Sequence, residues 1–130
     1  MRILAIRTDR PEAELGLFDN SELFDELKWR AGRNLSLTIL AKITELLKKN
    51  GLDFHKLDGI AVYKGPGSFT GLRIGISVAN TLAYGLRIPV ASAASRQWPQ
   101  IALDKLLKGE NEQIVLPKYG GEPNISRPKK

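Results

Sequence analysis

The chain has 130 residues, room for one domain with one core, and its 42% apolar and 26% charged residues are an ordinary globular composition rather than a disordered one. Its formal net charge of +6 comes from Lys and Arg scattered along the whole length, which permits contact with nucleic acid without pointing to it. The lack of cysteine excludes disulfides and thiolate chemistry, and with His55 the only histidine there is no His/Cys cluster for zinc or iron, so neither metal nor cofactor is expected.

The opening run from Met1 to Arg7 is too short in apolar residues for a signal peptide, and no window approaches the roughly 20 apolar residues of a membrane span. A cytoplasmic protein is expected. Ile3-Leu4-Ala5-Ile6 is continuously apolar and predicts a strand covered on both faces, hence a central one. After the Asp9-Arg10-Pro11 turn, Ala13 to Phe18 alternates loosely, and Asp19-Asn20-Ser21 turns the chain again. Glu22 to Arg30 offers a third strand, with Leu23, Leu27 and Trp29 on one parity, although its charges also suit a helix. The three runs suggest an antiparallel meander.

Ala31-Gly32-Arg33-Asn34 breaks the pattern. Ser36 then reads as an N-cap before Leu37, Ile39, Leu40, Ile43, Leu46 and Leu47, which keep the spacing of an amphipathic helix. Lys48 and Lys49 suit the negative end of the helix dipole, and Gly51 is free to take the left-handed conformation that ends it. Gly59-Ile60-Ala61-Val62-Tyr63 is a buried-strand run, Lys64 to Thr70 a Gly-Pro-Gly turn, and Gly71 to Leu86 a helix. Arg87 to Ala91 predicts a strand, Ser92 or Ser95 starts a helix toward Leu107, and Ile114-Val115-Leu116 reads as a last strand. Pro117 to Lys130, rich in proline, glycine and basic residues, is expected to be a tail with Tyr119 and Ile125 as its anchors. The division is a single lobe over 1–108 and a C-terminal extension over 109–130.

A glycine loop between a strand and a helix N-terminus invites a phosphate. The run from Gly65 to Gly71 is not a Walker loop, because no Lys-Ser/Thr pair follows its last glycine, and Thr70 stands where the dinucleotide pattern needs its third glycine. Gly67, Ser68, Thr70 and Arg73 are the candidate anion ligands. A hydrolytic reading would give Ser68 or Ser92 a base, and His55 sits in a polar connector where it is more simply structural. Asp19, Glu22, Asp25 and Glu26 read as a solvated charged face. On the second helix Gly71, Gly75, Ala79 and Ala83 recur every four residues, a smooth ridge suited to close backbone approach. Its other apolar residues spread around most of the circumference, so either the first helix or a partner must cover part of it.

Lys64-Gly65-Pro66-Gly67-Ser68-Phe69-Thr70-Gly71-Leu72-Arg73-Ile74-Gly75 resembles the signature of the TsaB family, also called YeaZ. The resemblance extends through Ile3 to Ile6, Ala31-Gly32-Arg33, Leu57 to Val62 and Gly85 to Val90, about the first 95 residues in all. It implies an α/β fold, the actin-like, sugar-kinase and Hsp70-type (ASKHA) N-terminal lobe ordered β-β-β-α-β-α-β, with the second lobe largely missing. It also implies a non-catalytic subunit of the machinery that forms threonylcarbamoyladenosine in tRNA, bound to TsaD and through it to TsaE. The same helices would serve a homodimer, and contact with tRNA would be indirect. Leu40, Ile43, Leu47, Gly71, Leu72, Gly75, Ala79 and Ala83 would then face the partner. Family members begin with an Ile-Asp-Thr-Ser type run; Arg7 and Asp9 stand here in place of the acid and the serine, which argues against a nucleotide-bound metal. The alternative is a degenerate, kinase-like protein that binds nucleotide at Gly65 to Gly71.

Overall fold

A computed structural model describes residues 1–118; Tyr119, Ile125 and the rest of the expected tail lie outside the described residues. Strands β1 (Arg2–Arg7), β2 (Glu12–Asp19) and β3 (Glu22–Arg30) form the meander. Helix α1 (Leu35–Lys49), β4 (Gly59–Tyr63), α2 (Phe69–Leu86), β5 (Val90–Ala93) and α3 (Trp98–Leu107) follow. The sheet order is β3-β2-β1-β4-β5, with β1 antiparallel to β2 and parallel to β4. This is the order that the resemblance implied, and the mixed sheet belongs to the actin-like class.

β1 is central because Ile3, Leu4, Ala5 and Ile6 have apolar neighbours on both faces and are buried. One face carries Gly59, which lies against Leu106 of α3, and Tyr63, whose ring meets Trp98 edge-on at 5.8 Å. The opposite face carries Thr8, which lies against α2. So α3 covers one side and α1 with α2 the other.

β3 resolves as a strand with a register shift opposite Leu17 and Phe18. Leu27 and Trp29 stay on the α1 side, where the Trp29 indole donates to the Thr38 hydroxyl at 3.0 Å. Leu23 pairs with Phe18 beyond the shift and joins the opposite face, so the single parity expected for the three does not hold.

Three local expectations are corrected. Ser36 is not the N-cap of α1: the turn Gly32–Asn34 runs straight into the helix, and the cap position falls on Asn34, without a side-chain bond. Neither Ser92 nor Ser95 caps α3. Ser92 is fully buried in β5, and α3 begins after Gln97 with Pro99 in its first turn, where a missing N–H costs nothing. Ile114 to Leu116 is not a strand; Val115 is buried, but a side chain pairs with its backbone. The end of α1 follows expectation: Gly51 takes φ +70°, and its N–H and that of Leu52 return to the carbonyls of Lys48 and Leu47.

Candidate functional site

The loop between β4 and α2 is built by packing against the end of β1. A Cβ on Gly67 would overlap the Asp9 side chain, and one on Gly71 would overlap the Thr8 carbonyl oxygen. Only glycine allows the approach at these two positions. The Ser68 N–H donates to the Asp9 carbonyl at 3.0 Å, and the Ser68 hydroxyl caps α2 by accepting the Gly71 N–H at 3.5 Å. The amide of Leu72 goes to the Ser68 carbonyl at 2.9 Å. The amides of Ser68, Gly71 and Leu72, donors that a phosphate at this loop would need, are thus engaged within the chain. Thr70 is exposed, and the Arg73 guanidinium lies 5.2 Å from the centre of the Phe69 ring.

A carboxylate does stand at this corner, on Asp9. It is buried and gripped by Arg7, whose Nε donates to one carboxylate oxygen at 2.7 Å and whose terminal nitrogen reaches the other at 3.2 Å. Arg7 also lies 4.3 Å from the Tyr63 ring centre. The bond to Asp9 is the main reason that the Arg7 guanidinium holds its proton more tightly than usual, against the opposing effect of burial. A carboxylate so paired has its charge satisfied inside the protein. Among the described residues no three His, Asp or Glu side chains converge to hold a metal.

The small-residue ridge packs inward. A Cβ on Gly75 would overlap the Thr8 hydroxyl, and that hydroxyl donates to the Gly71 carbonyl at 2.7 Å. Leu72, Ala79 and Ala83 are buried in the same core, as are Ile43 and Leu47 of α1. Of the eight residues expected to face a partner, Leu40 alone is exposed, at 52%; Gly71 is half-buried. What α1 and α2 leave open between them is a cleft of about 510 Å³ lined by Ser36, Ile39, Leu40, Thr70, Arg73, Ile74, Ser77 and Val78. Leu37, 80% exposed, stands on the same helix as Leu40. Leu37, Ile74 and Val78 were legible only as helical apolar residues, because periodicity says which residues share a face but not which face the sheet takes.

A family model described as TsaD, tRNA N6-adenosine threonylcarbamoyltransferase, matches residues 29–98. The tRNA threonylcarbamoyladenosine biosynthesis protein TsaB of Haemophilus influenzae is 32% identical over 111 residues, 85% of this chain and 47% of its own length. The solved structure of YeaZ from Pseudomonas aeruginosa superposes with a TM-score of 0.66 at 29% identity, covering 72% of this chain and 43% of that one. The chain belongs to the TsaB (YeaZ) family.

The likeness to TsaD is local. The tRNA N6-adenosine threonylcarbamoyltransferase of Geotalea daltonii is 48% identical, but over 60 residues that make up 46% of this chain and 18% of that protein. The longer match decides for TsaB. The chain spans about half the length of the curated TsaB relative it matches. No helix among the described residues is long and apolar enough to cross a membrane.

Proposed function

We propose that this chain is an accessory, non-catalytic subunit in the formation of threonylcarbamoyladenosine on tRNA, acting in the cytoplasm. In this reading it docks a TsaD-type subunit on the open side of α1 and α2. The observation that carries it is the cleft between those helices, lined by exposed Leu40 and half-buried Ile74 and Val78, with exposed Leu37 three residues before Leu40 on α1. Apolar side chains gathered on one helical face at a surface are the composition of an interface core. The family membership supplies the partner class, TsaE would join through TsaD, and a homodimer would use the same helices.

The nucleotide-binding alternative has less support, since the amides of Ser68, Gly71 and Leu72 already donate within the chain. Co-expression with the TsaD of the same organism tests the main reading: the two should co-purify, and Leu40→Asp should weaken the complex at least tenfold while the fold is retained. Absence of co-purification with the unmodified chain would overturn it. Heat released on titrating ATP at millimolar concentration, and lost on Ser68→Ala, would favour the alternative.

A further inference from the structure

Among the described residues β5 ends the sheet, and its outer edge is closed without a further strand. Its ladder to β4 uses the carbonyls of Pro89 and Ala93, which leaves Val90 and Ser92 pointing outward. All four of their backbone groups have partners. The Val90 N–H donates to the Asn111 side-chain oxygen at 3.1 Å, and the Val90 carbonyl accepts from the Glu112 N–H at 2.9 Å. The Ser92 N–H donates to the Glu112 carboxylate at 2.7 Å, and the Ser92 carbonyl accepts from the Lys105 ammonium at 2.8 Å. The Ser92 hydroxyl takes the second carboxylate oxygen, also at 2.7 Å.

The same segment continues to the glycine loop. The Asn80 amide brackets Val115, accepting its N–H at 2.9 Å and donating to its carbonyl at 3.0 Å. The Lys118 N–H then donates to the Lys64 carbonyl at 2.6 Å, and the Lys118 carbonyl fills the space that any Cβ on Gly65 would need.

We propose that residues 109–118 form a latch that seals β5 against the addition of a strand and holds the Gly65 loop, with the Glu112 carboxylate as its release. As an anion Glu112 accepts from Ser92 twice and from Lys105, at 3.3 Å; protonated, it loses the ion pair and places a donor among donors. The groups facing it are Lys105 from α3 and Ser92 from β5, and the Lys105 ammonium is its one recorded ion-pair partner among the described residues. Burial alone pushes this carboxyl up, but the Ser92 bonds and the Lys105 charge together outweigh it and hold the group below its ordinary 4.5. A carboxyl lowered in the folded state stabilises above the unfolded value, so the latch is held at neutral pH and lets go as pH falls below about 4.5 through the folded value.

Amide hydrogen exchange on the full chain tests this, read as protection factors. Glu112→Gln at pH 7 should lower protection of Ser92, Val115 and Lys118 about tenfold, as expected for the loss of a charge-assisted hydrogen bond, while Ile60 in β4 keeps its protection. The unmodified chain should show the same local loss on acidification, and the Gln variant should lack that step. Asn80→Ala should open Val115 and Lys118 at neutral pH. Full protection of Ser92 in Glu112→Gln, an acid step that persists in that variant, or Lys118 protected while Ser92 is open would each overturn the proposal.

Discussion

Thr8 and Gly75 interlock: the Thr8 side chain fills the notch that the missing Cβ leaves on α2, and its hydroxyl reaches past to the Gly71 carbonyl at 2.7 Å. The four-residue recurrence of small side chains on α2 is therefore used first by the chain's own β1. Gly75→Ala forces the Thr8 side chain or the helix to move, and overpacking of this kind costs about 1–3 kcal/mol. Urea unfolding should show that loss, and Thr8→Ala introduced together with Gly75→Ala should recover part of it, as expected for residues in contact. Additive losses in the double variant would break the link.

The Arg7–Asp9 pair has a different signature. Asp9 is buried, and its side chain is 7% exposed against 22% for Arg7. Removing the cation strands a buried carboxylate, whereas removing both charges does not. Arg7→Leu should cost about 3 kcal/mol, near the lower end for breaking a buried pair because Arg7 keeps some solvent, and Arg7→Leu with Asp9→Asn should cost clearly less. Denaturation of the three proteins checks the order; a double variant less stable than Arg7→Leu would refute it.

The order of elements was legible because β1 and β4 are continuously apolar, α1 keeps a helical period, and the Lys64 to Gly75 signature is specific. The facing of α2 was not. A stripe such as Gly71, Gly75, Ala79 and Ala83 marks close backbone approach, and the sequence alone cannot say whether the approaching backbone is a strand of the same chain or another protein. The run Ile114-Val115-Leu116 was misread for a related reason. It is a short continuous apolar run of the kind that forms a strand, but the partner of its backbone is the Asn80 side chain, 35 residues away, a pairing that no local pattern announces.

Helix α2 ends at a residue with a cost. Arg87 takes φ +59° in the left-handed region so that its N–H and that of Ile88 can reach the carbonyls of Tyr84 and Ala83. An L side chain there costs about 1 kcal/mol, which glycine avoids while losing somewhat more entropy on folding. Arg87→Gly should raise stability by roughly 0.5 kcal/mol, visible as a small rise in Tm. A fall in Tm would mean that the arginine side chain contributes more than its backbone costs.

The proposed partner face separates from the core by burial. Leu37 and Leu40 are exposed at 80% and 52%, whereas Ile39, Ile43, Leu46 and Leu47 on the same helix are at 1% or less. A charge at Leu40 therefore touches solvent in the free chain and should change stability by no more than about 0.5 kcal/mol, the usual range for surface positions. At a docked interface it would bury an unpaired carboxylate, and Leu40→Asp should weaken TsaD binding by at least tenfold. Gly75→Ala cannot serve for this test, because it disturbs Thr8 before it could disturb a partner. Leu37→Asp together with Leu40→Asp, checked by unfolding and then by co-purification, separates the outcomes: a stable double variant that no longer binds places the partner on this face, and one that binds as before puts it elsewhere.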